Sequence, residues 1–416
     1  MADPRQTRSI VAKISSFTGS QVLRNRTLLA VSFAVLAAYI GIGMVAPVRI
    51  LYAESRGASL FVIDAMASAF LISNFIFQYP VGWLADRWGR KPVMIAGLLV
   101  QAALSALYLP ITDPILFVAL RFLEGMAAAA LLPAARALII DSVPPEQQGE
   151  AYGIFGAFFN AGFLLGPGIG GLLAILGYSS AFIGAVLFRL VGVVIVIFMI
   201  QGTSQSRTTT EKRTTTAAIP YRSLFTLPLI GAYLIAFGDY LYLGFDLTLT
   251  PIWLHNNLGA TVTFIGFAYM MWAVPNVLLS PVGGRLADKK RRSFLILLCG
   301  LGQVPIYLAY GLVNMALLVA VLFAIHGTIY AFMQPAIDSH VASSSASAIR
   351  ARVQGLYTTF GLMGAFVGSS GFTPLYHINF RLPLFAMGIA YGICILLGGL
   401  LIRLAEKRLS PPHSAE

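Results

Sequence analysis

The feature that most restricts this chain is a succession of apolar blocks, each about as long as a membrane is thick. A helix needs about 20 residues to cross a bilayer. The 416-residue sequence offers twelve such blocks: 27–52, 60–85, 93–110, 115–140, 150–176, 180–201, 224–253, 262–286, 294–312, 316–341, 353–377 and 382–403. Hydrophobic residues make up 58% of the chain and charged residues 11%, against roughly a quarter charged in a soluble domain. The expected fold is all-α and integral to a membrane, with the blocks as spans 1 to 12.

A formal net charge of +12 would suggest nucleic acid in a soluble protein. Its distribution points elsewhere. With the N-terminus inside, the cytoplasmic segments hold 22 Lys and Arg, whereas the outer loops hold two, Arg56 and Arg381. The positive-inside rule then sets both termini in the cytoplasm of a cell (inner) membrane, and nucleic acid drops out as a partner. The opening segment 1–26 is polar and basic and leads into a full-length span, so no cleavable secretory signal is evident. Cys299 and Cys394 lie in apolar segments and read as small buried hydrophobes.

The one long polar insertion, QGTSQSRTTTEKRTTTAAIPYR at residues 201–222, lacks hydrophobic periodicity and reads as a linker. It divides the chain into a cytoplasmic segment 1–26, a six-helix bundle 27–201, the linker 202–222, a second bundle 223–404 and a tail 405–416. The bundles resemble each other at one constant spacing of 202 residues. Leu84-Ala85-Asp86 matches Leu286-Ala287-Asp288, Gly125 and Pro133 match Gly327 and Pro335, and Gly166 matches Gly368. A duplicated six-helix unit, related by an axis along the membrane normal, is an arrangement of transporters with a binding site between the halves.

Over nearly its whole length the chain resembles the major facilitator superfamily. Gly82-Trp83-Leu84-Ala85-Asp86-Arg87-Trp88-Gly89-Arg90-Lys91-Pro92 is similar to the family's signature loop between spans 2 and 3. Arg121-Phe122-Leu123-Glu124-Gly125, with Ala127–Ala130, is similar to its span 4 motif, although Glu124 stands where the pattern prefers Gln. Gly162-Phe163-Leu164-Leu165-Gly166-Pro167-Gly168-Ile169-Gly170-Gly171 resembles the span 5 motif of drug–proton antiporters. The resemblance implies the twelve-helix major facilitator fold in two pseudo-symmetric bundles, secondary active transport, and no cofactor beyond a proton gradient as energy source. The implied partners are a small-molecule substrate, protons and the lipid bilayer, with the protein acting as a monomer.

Each motif has its own expected role. Gly82, Asp86, Arg87, Gly89 and Arg90, with Asp141 at the end of span 4 and Asp288 in the second copy, form a candidate conformational latch. Asp86 is set against the start of span 11, where a helix N-terminus favours a carboxylate. Cations that merely hold the loop inside would need neither Asp86 nor the glycines. In span 5, Gly162, Gly166, Gly170 and Gly171 permit close helix approach where lipid supplies no hydrophobic drive, and Pro167 permits a bend. They read as a hinge on which span 5 rocks against its neighbour in the other half, or otherwise as a static tight crossing.

Ionisable groups inside spans are costly and so are functional candidates, here Arg49, Asp64, Arg121, Glu124, Arg136, Arg189, Asp239, Asp246, His326, Asp338 and His340. Arg49, Asp64, Arg136, Asp338 and His340 lie near span ends, where they can snorkel or face loops. Glu124 and Asp239 are the first choices for a proton carrier, followed by Asp246, with Arg121 as a partner of Glu124. A carboxyl in oil is pushed towards its neutral form, while a neighbouring arginine opposes this. The competing role for each acid is a fixed ion pair.

The substrate cavity is expected to be mostly apolar with a few polar groups. Its candidate wall is Asn160 and Phe163 of span 5, Tyr242 of span 7, Tyr269 and Trp272 of span 8, and Phe332, Met333 and Gln334 of span 10. Aromatic and Met side chains suit varied lipophilic cations. No cluster of metal ligands, no Walker loop and no nucleophile–base set appears, so metal, ATP and enzyme chemistry are not expected. The leading expectation is a proton-coupled exporter of drugs or other lipophilic small molecules working by alternating access. The alternative is an exporter or flippase for one physiological substrate, such as a sugar, lysolipid or glycolipid.

Overall fold

The computed structural model describes residues 24–144, 147–200, 221–289, 292–345 and 349–409. Every expected span is helical: Arg26–Ser55, Leu60–Trp88, Arg90–Leu107, Ile115–Ala128 with Leu131–Ser142, Gln148–Leu173 and Tyr178–Met199 in the first half. The second half holds Leu227–Asp246, Val262–Lys289, Arg292–Leu312, Ala316–Ser343, Arg350–Ser370 and Leu382–Leu409. Among the described residues, eleven helices are long and apolar enough to cross a membrane. Span 11, Arg350–Ser370, falls short because it carries Arg352, Gln354, Thr358, Thr359 and four glycines. Those glycines serve packing. A Cβ on Gly364 would stand 2.1 Å from Phe237 O, and one on Gly368 would stand 2.0 Å from Leu241 O, so span 11 lies tight against span 7.

Span 7 departs from the expected 224–253. Its helix ends at Asp246, and the chain continues through a short helix Leu249–Ile252 and a wide turn Trp253–Asn257. Pro251 has no N–H to give the preceding turn, and the Thr248 hydroxyl bonds instead to Ser369 O of span 11 at 3.2 Å.

The 202-residue spacing is a structural equivalence. A Cβ on Gly125 would meet Phe70 O at 2.4 Å, and one on Gly327 would meet Trp272 O at 2.0 Å. Phe70 and Trp272 are themselves 202 residues apart. In each half, then, the fourth helix presses the same glycine onto the same carbonyl of the second. The largest apolar cluster, including Tyr307, Phe323, Met333 and Tyr391, fills the second half. Two smaller clusters, one around Ala34 and Leu138 and one around Val48, Tyr108 and Phe182, fill the first.

An even number of traverses puts Arg26 and Leu409 at one end of the bundle, the terminal face; the other end is the distal face. The halves meet towards the distal face. Thr263 Oγ1 donates to Gly171 O at 2.8 Å, Ser68 and Ser370 share a hydroxyl hydrogen bond at 3.0 Å, and Asn256 bonds to Glu54. A Cβ on Gly266 would meet Pro167 O at 2.3 Å. Towards the terminal face the seam is parted. Sites for a Cβ at Gly82, Gly153, Gly156 and Gly355 stand in open space, and Tyr79 is 84% exposed.

Candidate functional site

The two halves carry opposite chemistry in their cores. In the first half, Glu124 of span 4 is buried and its Oε2 accepts from Arg121 at 2.9 Å and faces Arg49 of span 1 at 3.5 Å. Arg189 of span 6, 2% exposed, donates to Ser105 Oγ at 2.6 Å. Glu124 is therefore held as a fixed ion pair. Arg49 does not snorkel; the Glu124 carboxylate on span 4 draws it inward. Asp64 and His340 are buried as well, while Arg136 and Asp338 are exposed as expected.

In the second half the acids have other surroundings. Asp239, 8% exposed, accepts from Tyr330 Oη of span 10 at 3.0 Å. Asp246, two turns along the same face of span 7, accepts from Tyr269 Oη of span 8 at 3.0 Å. Among the described residues, no cation lies within ion-pair distance of either. Tyr330 Oη also lies 3.0 Å from Gln334 Oε1, and Gln334 Nε2 donates to the exposed Asp338 at 3.0 Å. A chain of polar groups thus runs along span 10 from Asp338, near the terminal face, to Asp239.

Between the two acids lies an aromatic cluster. The Trp272 ring is 5.5 Å from Tyr330 and 6.1 Å from His326, and the Tyr242 ring is 5.0 Å from both His326 and Tyr307. The Trp272 Nε1 is buried without a hydrogen-bond partner among the described residues. His326 is fixed between Gln303 at 3.0 Å, Tyr307 at 3.1 Å and Tyr310 at 3.3 Å.

The structure thus gathers Tyr242, Tyr269, Trp272 and Gln334 around the acids of span 7. Asn160 and Phe163 are exposed on the middle of span 5, where Phe163 lies 4.9 Å from the ring of Tyr39. Phe332 is half-buried, and its backbone lies against span 8 at Gly283. Met333 does not line a cavity. It is fully buried inside the second half, where its sulfur accepts from Gln303 Nε2 at 3.2 Å and Tyr391 Oη at 3.5 Å. The neighbouring position on a helix points elsewhere by about 100°, so Met333 and Gln334 cannot share one wall.

The signature loop ties one half together. Gly89 has φ +95°, a conformation that other residues rarely adopt, and turns span 2 into span 3. Arg90 then pairs with Asp141, Lys91 donates to Ile197 O at 2.8 Å at the end of span 6, and Arg87 lies 5.4 Å over the Trp83 ring. The Arg90 pair exists while the terminal seam is parted, and both its partners belong to the first half, so it braces that half and does not cross the seam. The counterpart of Arg90, Arg292, bonds to Ser343, the counterpart of Asp141. The side chains of Asp86 and Asp288 lie outside the described residues.

The span 5 glycines divide between two neighbours. Gly162, Gly166 and Gly170 are pressed onto span 1 of their own half, with Cβ positions 2.6 Å from Tyr39 Cβ, 2.7 Å from Gly43 Cα and 2.1 Å from Met44 O. Their expected place against the other half is corrected accordingly; this is a tight crossing within a bundle. Gly171 and Pro167 face span 8 across the distal seam.

Sequence reasoning missed Tyr330, Gln303, Tyr307 and Tyr310, which orient Asp239 and His326. The repeat spacing held the signal, because Gln101 and Gln303, Tyr108 and Tyr310, and Glu124 and His326 are each 202 residues apart.

Two duplicated helical halves, joined distally and parted at the other face, with buried acids in each and aromatic rings around those of the second, define a membrane transporter. The chain belongs to the Major Facilitator Superfamily, whose profile matches residues 31–369. It is 24% identical over 403 residues to the quinolone resistance protein NorA of Staphylococcus aureus (strain MRSA252), covering 92% of this chain and 97% of that one. It is 25% identical to multidrug resistance protein 2 of Bacillus subtilis (strain 168), covering 90% and 94%. Among solved structures, a bacterial homolog of the human lysosomal transporter Spinster, in an inward-facing and occupied conformation, superposes with a TM-score of 0.70. There the identity is 16%, over 94% of this chain and all of that one.

Proposed function

We propose that this transporter exports drugs or other lipophilic small molecules in exchange for protons, by alternating access, with the terminal face towards the cytoplasm. The observation that carries the reading is the contrast between its buried acids. Glu124 is committed to two arginines, whereas among the described residues Asp239 and Asp246 accept only from neutral groups. A carboxyl without a fixed cation is free to exchange a proton for a cationic substrate, and Trp272, Tyr242 and Tyr330 offer ring faces to such a cation. Asp239 therefore takes the place of Glu124 as first proton carrier.

Tyr330 supplies a way to signal the exchange. Its hydroxyl holds one proton. While Asp239 is ionised, Tyr330 donates to it. Once Asp239 is protonated it donates to Tyr330, which is then free to donate to Gln334 Oε1. Asp338, exposed near the parted face, is the entry point of this chain. Export is the direction that the likeness to NorA and multidrug resistance protein 2 favours.

The test uses purified protein in liposomes with an imposed pH gradient and an ethidium-type dye. Gradient-driven dye movement is expected, and Asp239→Asn is expected to abolish it. Specific movement of a lipid or sugar with no effect on dyes would instead establish the single-substrate exporter or flippase.

A further inference from the structure

The 202-residue spacing lays one polar core over another. Gln101, Ser105, Tyr108, Arg121, Glu124 and Arg189 correspond to Gln303, Tyr307, Tyr310, Phe323, His326 and Tyr391. In the second copy the protein's own groups complete the site. Gln303 Oε1 faces His326 Nε2 at 3.0 Å, its Nε2 reaches Met333 Sδ at 3.2 Å, and the Tyr307 ring packs edge-on against Tyr391 at 4.8 Å.

The first copy lacks this completion. Among the described residues, both polar atoms of Gln101, the Tyr108 hydroxyl, Glu124 Oε1 and the Nε atoms of Arg49 and Arg189 are buried without a hydrogen-bond partner. Gln101 is 3% exposed, Tyr108 0% and Arg189 2%. These groups converge. Gln101, Ser105 and Tyr108 lie on one face of span 3; Arg189 bonds to Ser105; and the Arg49 guanidinium is 5.6 Å from the Tyr108 ring. Ser105 stands where the other copy has the phenol of Tyr307, so a ring that fills the second site is missing from the first.

Arg49 and Arg121 share the one carboxylate of Glu124, and the buried Arg189 has Ser105 as its partner. Three arginines thus stand with one carboxylate in the distal half of the first bundle, a surplus of two positive charges. Buried polar groups without protein partners are ordinarily met by water. Water would satisfy the donors and leave the charge. A small anion answers both needs, because a buried charge calls for a counter-charge as well as hydrogen bonds. We propose that a resident monovalent inorganic anion of halide size sits in the first half, held by Arg49, Arg189, Gln101 and Tyr108. The four residues that hold it all belong to the first half, and the site needs no transported substrate.

The experiment is the thermal unfolding of the purified full chain in chloride, bromide or gluconate at equal ionic strength, gluconate being too bulky for a dry site. The expected result is a melting temperature that rises saturably with chloride or bromide and not with gluconate. Arg189→Gln and Tyr108→Phe are expected to flatten that dependence, and crystals grown in bromide to show one anomalous peak between Arg49 and Arg189. If Arg189→Gln does not fold, Tyr108→Phe, which removes only a hydroxyl, decides. Equal melting in chloride and gluconate would overturn the proposal in favour of water, as would an anion dependence that both variants leave intact. Because the readout is stability, it is independent of whether dyes or protons are transported.

Discussion

Tyr330 of span 10 donates its hydroxyl proton to Asp239 of span 7 at 3.0 Å, joining two helices of the second half through a bond whose direction depends on one proton. If this bond reports protonation, its loss should uncouple the transporter before it unfolds it. Tyr330→Phe keeps the ring beside Trp272 and removes the hydroxyl. A hydrogen bond to a charged group is worth about 1.5–3 kcal/mol, so proton-driven dye transport should fall by roughly 10- to 100-fold while dye binding stays close to wild type. Paired measurement of gradient-driven flux and equilibrium binding checks this. A parallel fall in both would assign Tyr330 to the substrate.

Glu124 and Asp239 should fail in different ways. Removing the carboxylate of Glu124 leaves Arg121 and Arg49 facing each other in a buried site, and breaking such a pair costs about 3–5 kcal/mol. Glu124→Gln should therefore lower the melting temperature and the yield of folded protein. Asp239→Asn removes a carboxyl that has no cation to strand, so its melting temperature should stay near wild type while gradient-driven transport is lost. Thermal unfolding measured beside transport separates the two. A stable, uncoupled Glu124→Gln would return Glu124 to the role of proton carrier.

Much of this was legible in the sequence. Twelve apolar blocks gave the helices, and one constant spacing gave the duplication and the matched glycines Gly125 and Gly327, though not the carbonyls they meet. The sidedness of each helix was not legible. In a soluble protein, polar residues mark the face turned outwards, but here lipid, helix core and substrate cavity all accept apolar side chains. Met333 and Gln334 were therefore assigned to one wall although they point apart. Glu124 was read with Arg121, three residues away, while Arg49 approaches from another helix and cannot be paired with it by spacing. The span 5 glycines announced close packing without saying which neighbour they meet.

The Arg90–Asp141 pair should contribute little stability. Asp141 is 46% exposed, and pairs open to solvent are worth about 0–1 kcal/mol. A double-mutant cycle with Arg90→Ala and Asp141→Ala should return a coupling in that range. Lys91 does separate work at the end of span 6, so Arg90→Ala with Lys91→Ala should add independently. A coupling of several kcal/mol between Arg90 and Asp141 would mean that the clasp is better shielded than its exposure indicates.

The distal seam offers the most direct check on movement between the halves. Ser68 Oγ of span 2 and Ser370 Oγ of span 11 stand 3.0 Å apart, one in each half. Hydroxyls at that separation leave their Cβ atoms no more than about 6 Å apart, so a small shift of either helix brings them into the range a disulfide bridges. With Cys299 and Cys394 replaced by alanine, Ser68→Cys combined with Ser370→Cys should cross-link readily under mild oxidation. The cross-link holds the distal face shut. If transport requires that face to open, oxidation should stop dye movement completely and reductant should restore it, while each single variant stays active. The parted terminal face makes the converse prediction: cysteines placed there should cross-link poorly in the resting protein and better once the distal face opens. A cross-linked protein that still transports at the wild-type rate would mean that the halves need not separate at Ser68 and Ser370, and that the substrate leaves by a path outside this seam.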